Sequence, residues 1–128
     1  MNPAISEYCV YTIVHREKLE ATPGPPTTFD ERKAWVTAAN LWRKAKAADE
    51  EMPVLLADAT DCSCLLFWGL LTDVRVAAEG TSYSVDRLRK FKGKHRPQEL
   101  TLRSTGKKIK PNYIRPYAIC RTPDFLKD

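Results

Sequence analysis

The sequence predicts an α+β fold: a small curled antiparallel β-sheet or barrel packed against one long amphipathic helix. Three observations carry that expectation. A stretch in the first half has apolar residues at three- and four-residue spacing, the period of a helix with one buried face. Runs rich in β-branched and aromatic residues stand before and after it, as strands do. Pro/Gly clusters punctuate the boundaries. One strand, one helix and then several strands is an α+β order, in which a sheet or small barrel covers a helix. At 128 residues the chain has the size of one domain, and we read residues 1–128 as a single unit.

The elements follow in order. EYCVYTIV (7–14) reads as a first strand, and ATPGPPTT (21–28) as a loop. In TFDE, Thr28 precedes Glu31 by three residues, the pattern of a capping box, so a helix is expected from there to about Ala48. Trp35, Ala38, Leu41, Trp42 and Ala45 form its apolar stripe, and Pro53 excludes its continuation. PVLLADA (53–59) and CLLFWGLLTDVRVAA (64–78) read as strands, EGTS (79–82) as a tight turn, and TSYSV (81–85) as the returning strand. DRLRKFKGKHRPQ (86–98) is a polar connection that buries Leu88 and Phe91 in a helical turn. ELTLRS (99–104) alternates, STGKKIKPN (104–112) turns, and YIRPYAICR (113–121) closes the sheet, with Pro116 marking an edge or bulge.

Charge separates the two halves. Residues 1–64 hold seven basic and ten acidic side chains; residues 65–128 hold fourteen and six. Between Arg87 and Arg121 stand twelve Lys or Arg and one acid, Glu99. Like charges crowded together repel, so such a patch points to a polyanionic partner. The longest apolar run, CLLFWGLL, is far shorter than the roughly 20 residues of a spanning helix, so no membrane insertion is expected. MNPAISEYCVYTIV lacks a basic leader followed by an apolar core and cleavage site, so a cytoplasmic location with reduced cysteines is expected. Cys9, Cys62, Cys64 and Cys120 are read as small buried apolar residues, the other reading being a zinc site.

Phosphate-loop, dinucleotide, nucleophile-elbow and HExxH signatures are absent from the sequence. No cofactor is expected and no residue is assigned a catalytic role. Asp58 and Asp61 are taken as turn residues before they are taken as cation ligands.

The order of a tryptophan-bearing helix, MPVLLADA, LLFWGLLTDV and short basic strands resembles the PUA-like superfamily of small barrels, of the EVE, ASCH and YTH types. The resemblance spans about residues 29–121. It implies a barrel in which a cleft beside an apolar–Gly strand holds a nucleotide base, and it assigns no particular residues.

The expected function is therefore a non-catalytic nucleic-acid-binding module, taking RNA or a base flipped from DNA. Cations neutralise phosphates while flat side chains stack on bases. The backbone contacts are assigned to Arg103, Lys107, Lys108, Lys110, Arg115 and Arg121, and the base contacts to Tyr113, Tyr117 and Trp68 in an aromatic-lined cleft. Tyr83 is a further candidate ring, whereas Trp35 and Trp42 belong to the helix stripe. Two alternatives compete. A small basic nuclease would use His95, four residues from Glu99 and surrounded by cations. A protein-interaction module would set the same basic face against an acidic protein partner.

Overall fold

A computed structural model describes residues 4–14, 27–58, 64–91, 93–110 and 117–126. In chain order its elements are β1 (Ala4–Ile5), β2 (Tyr8–Val14), β3 (Thr27–Glu31), α1 (Val36–Ala47), β4 (Glu50–Glu51), β5 (Pro53–Asp58), β6 (Leu65–Ala77), β7 (Gly80–Val85), β8 (Arg89–Lys90) and β9 (Tyr117–Arg121). The result is a sheet-rich α+β fold with one α-helix among the described residues. Seven strands form one mixed sheet in the order β3-β7-β6-β5-β2-β9, with β8 alongside β6. Strands β1 and β4 form a separate parallel pair.

Two features differ from the expected antiparallel sheet or barrel. Strands β2 and β5 run parallel, with Val10 opposite Val54 and Val14 opposite Asp58. The chain between them passes through β3 and α1, the kind of long crossover that a parallel pair requires. The strand path is also open, since β3 and β9 lie at its two ends and do not pair.

The sheet is covered on both sides. On β2, Val10 and Val14 enter one apolar cluster while Cys9 and Tyr11 enter another; on β5, Val54 and Leu56 join the first, Leu55 and Ala57 the second. Alternate residues of a strand point to opposite faces, so these are the two sides of one sheet. All of β5 is buried, which is why PVLLAD reads as an unbroken apolar run rather than an alternating one. Helix α1 covers the first side with Ala38, Ala39 and Ala45, and the Trp42 indole N–H donates to the Leu71 carbonyl at 3.2 Å.

The helix begins later than its capping-box pattern predicts. Thr28 and Glu31 lie in β3, where Phe29 faces Tyr83 of β7. Their burial alternates, Thr27 and Phe29 inward and Thr28 and Asp30 outward, a period of two that pairing with β7 rewards. The Trp35 N-cap position has no capping bond from its own side chain. Thr81 of β7 supplies the polar support instead: its hydroxyl accepts the Trp35 N–H at 2.8 Å and donates to the Lys33 carbonyl at 2.7 Å. At the other end Lys44 and Lys46 sit in the last turn, where positive charge complements the helix dipole.

Strand β6 changes partners along its length. Its first half pairs with β5 and its second with β7, with register shifts at Leu56/Ala57 and Leu71/Asp73. Gly69 lies at the handover. A Cβ there would overlap the Val85 side chain and the Arg87 carbonyl, so the close approach of the 85–87 corner requires glycine. The expected helical turn at Leu88–Phe91 is replaced by the short strand β8, in which Arg89 faces Trp68 and Lys90 faces Phe67. Among the described residues no helix is long and apolar enough to cross a membrane.

Candidate nucleic-acid interface

Residues 100–109 fold back on themselves and extend the sheet beyond β9. Arg121 N–H donates to Thr101 O and Arg103 N–H to Ile119 O, both at 2.9 Å, while Leu102 N–H reaches Lys107 O at 2.8 Å. Gly106 closes the turn with φ of 71°, a left-handed conformation that glycine adopts without penalty. Leu100 and Ile109 are buried in the second cluster and anchor this hairpin. Arg103, Lys107, Lys108 and Lys110 are consequently exposed, beside the exposed Arg121. Five of the six predicted cations thus meet at one edge of the sheet. Arg115 and Tyr113 lie outside the described residues.

Tyr8 of β2 stands beside both arginines and seats one of them. Tyr8 of β2 is the register partner of Arg121, and the Arg103 guanidinium lies over the Tyr8 ring at 5.1 Å. Alternation along β9 puts Arg121 on the same face as Tyr117 and Ile119, which pack against the helix-side cluster. Tyr8, Arg103, Arg121 and Tyr117 therefore share the helix side of the β2–β9 edge. Tyr8 was not among the predicted rings, because only the β2–β9 register brings it to Arg121.

Tyr117 ends a stack of four rings. Phe29 and Tyr83 lie 5.4 Å apart between centroids, Tyr83 and Trp35 4.6 Å, and Trp35 and Tyr117 4.8 Å, with interplanar angles below 30° throughout. Tyr117 is half-buried, and that burial raises its phenol above the ordinary value. Tyr83 is fully buried, its hydroxyl pushed well up by burial and then by the Glu31 charge. The expectation that Tyr83 offers a ring to a ligand is corrected: both neighbours in the stack are protein rings.

Trp68 stands elsewhere. It packs with the second cluster, on the sheet face opposite Tyr117, and the Arg89 guanidinium covers its ring at 4.8 Å. Arg89 is held in turn by Asp86, whose Oδ2 accepts at 2.7 Å and Oδ1 at 3.1 Å. Oδ1 also takes the N–H groups of Leu70 at 3.0 Å and Arg87 at 2.7 Å. Partial burial opposes ionisation of Asp86, but the Arg89 bonds and these two N–H groups outweigh it and hold the carboxyl below its ordinary value. Trp68 and Tyr117 are two sites on two faces, and the single aromatic-lined cleft expected to contain both does not form from them.

The same second face carries His95. Its ring stacks on Phe125 with centroids 3.7 Å apart and planes 7° from parallel, and meets the edge of Phe91 at 5.9 Å. His95 Nδ1 lies 3.3 Å from Glu99 Oε1, and Glu99 Oε2 accepts the Arg96 N–H at 2.6 Å. That N–H, with lesser help from the His95 ring and the Lys108 charge, holds the Glu99 carboxyl below its usual range.

Cysteine and carboxylate candidates resolve differently. Cys9 and Cys120 face each other across β2 and β9, are wholly buried, and are free thiols; burial raises both, Cys120 to about 12. Cys62 and Asp61 lie outside the described residues, Cys64 is half-buried, and Asp58 is buried at the end of β5. No group of three or more His, Cys, Asp or Glu able to hold a metal ion forms among the described residues. A cavity of about 360 Å³ opens at the opposite edge of the sheet, lined by Asp30, Glu31, Arg75, Glu79, Gly80 and Thr81 among others. Its three carboxylates make it a poor seat for a phosphate backbone.

Comparison with protein-family models, with curated proteins and with solved structures finds no match for this chain.

Proposed function

We propose that this protein binds a nucleic-acid strand along the outer edge formed by β9 and the 100–109 hairpin. The observation that carries this reading is the gathering of Arg103, Lys107, Lys108, Lys110 and Arg121 at that edge, beside the half-exposed ring of Tyr117. The five side chains neutralise phosphates. Arg103, stacked on Tyr8, is pre-positioned, so little of its side-chain freedom is lost on contact. Tyr117, backed by Trp35 and rigid for that reason, offers a face on which a base stacks, worth about 1–3 kcal/mol. A PUA-like relationship would agree with a base reader of this kind, although here the base meets a half-exposed ring.

Salt is the test. Binding driven by counterion release weakens steeply with ionic strength, with a log–log slope of about 0.7 per neutralised phosphate on a single strand. Replacing Lys107 and Lys108 with Ala should weaken all sequences alike and flatten the slope by about 1.4. Tyr117→Ala should leave the slope unchanged and alter base preference. A salt-insensitive affinity, or identical behaviour of the two variants, would overturn the reading. An acidic protein recovered on the same edge from nuclease-treated material, with no strand affinity in the pure protein, would replace it with the protein-interaction alternative.

A further inference from the structure

The feature that strand binding leaves unused is the His95–Glu99 pair on the second face. We infer that it is a general-base dyad that cleaves RNA by attack of the ribose 2′-hydroxyl on the adjacent phosphorus. The inference rests on the binding reading above, because the same basic hairpin must deliver the strand.

Three observations carry it. First, the imidazole is held still. It lies flat on Phe125 and against the edge of Phe91, and its own carbonyl accepts the Leu65 N–H at 2.8 Å, which ties the loop to β6. Second, its tautomer is set. The Glu99 carboxyl is held below its usual range, chiefly by the Arg96 N–H, and a carboxylate Oε1 can only accept, so Nδ1 is the donor; in a neutral imidazole that leaves the lone pair on Nε2. Nε2 makes no hydrogen bond among the described residues, and residue 93 is a glycine: a Cβ there would stand 3.9 Å from Nε2 and approach nothing else. Third, cations stand next to the pair in the chain, and one reaches it in space. Lys94 and Arg96 are exposed next to it in sequence, and Lys108 Nζ reaches the Glu99 carbonyl at 3.4 Å. Lys108 therefore belongs both to the basic hairpin and to the surroundings of the dyad. A histidine used only to fix a loop needs neither an oriented carboxylate nor an unbonded Nε2.

The step balances without a further reactant. Nε2 takes the proton from the 2′-hydroxyl, O2′ bonds to phosphorus, and the P–O5′ bond breaks with its electron pair leaving on O5′. Water protonates O5′, and the hydroxide so formed removes the proton from Nε2. The products are a 2′,3′-cyclic phosphate and a 5′-hydroxyl strand. Neighbouring ammonium and guanidinium groups stabilise the charge that grows on the phosphoryl oxygens.

The experiment uses the full chain with a labelled single-stranded RNA in chelator-containing buffer, and in parallel a 2′-O-methyl strand of the same sequence to read binding alone. We expect cleavage with 2′,3′-cyclic ends for RNA and none for the 2′-O-methyl strand. His95→Ala should lower the rate by about 10²- to 10⁴-fold, keep affinity for the 2′-O-methyl strand, and regain activity with added imidazole. Glu99→Gln, which keeps the shape of the side chain, should lower the rate less. Binding of the 2′-O-methyl strand without cleavage of RNA overturns the dyad and leaves the binding edge standing. Cleavage that survives in His95→Ala overturns it as well, and failure to bind or cleave either strand overturns both proposals.

Discussion

Two groups of aromatic rings, one on each face of the sheet, use the same residue types to opposite ends. On the helix side Phe29, Tyr83, Trp35 and Tyr117 stack in nearly parallel fashion, and three of the four are buried. On the other side Trp68, Phe91 and Phe125 are half-buried and each has a charged or titratable neighbour: Arg89 over Trp68, and His95 against both phenylalanines. The first group excludes water and joins the helix to β3, β7 and β9. The second orients polar groups at the surface. Rings with apolar neighbours on both sides stabilise by burial, whereas rings beside cations fix where charge points.

Mutations should separate the two groups by size of effect. Trp35→Ala removes a fully buried ring from the middle of the stack and should cost about 3–5 kcal/mol in a urea melt. A loss as small as that of a surface change would break the distinction. Phe125→Ala should cost less, about 1–2 kcal/mol, because two ring contacts are lost from a half-buried position. Its clearer signature should be a shift of the His95 ring proton resonances, which Trp35→Ala leaves in place.

Tyr83→Phe sharpens the comparison in the opposite direction. The Tyr83 hydroxyl is buried and finds no hydrogen-bond partner among the described residues, so its removal should raise stability by about 1 kcal/mol. A loss of stability on calorimetry would show that the hydroxyl is satisfied in solution. The smallest effect belongs to Asp86. Its folded value lies below the ordinary 3.8, so its contribution is fully present above pH 3.8 and is lost as pH falls through the folded value. Asp86→Asn should therefore flatten the acid limb of the stability curve and loosen Arg89 from Trp68, with unfolding monitored by tryptophan fluorescence. An unchanged acid limb would remove Asp86 from the account.

Much of the fold was legible because its signals are local. The stripe Trp35, Ala38, Leu41, Trp42 and Ala45 is a property of helical spacing, and β2, β5, β6 and β7 fall close to their predicted ranges. The misreading at Thr28–Glu31 has a physical cause. A capping pattern and a strand alternation coexist in TTFDE, and the ladder with β7 decides between them. The candidate site was legible only in composition. Five cations of the hairpin and β9 do share an edge, but the place of Trp68 depends on which face of β6 it occupies, and that follows from pairing with β5.

Taken alone, the amino-acid order determined the amphipathic helix, the strand-rich remainder and the excess of positive charge in the second half, since periodicity and charge are read along a single segment. Tertiary structure decided the parallel β2–β5 pair, the seating of Arg103 on Tyr8, and the meeting of His95 with Phe125. Each joins segments far apart in the chain, and strand register, on which a one-residue slip reverses every side chain, is settled only when distant strands pair.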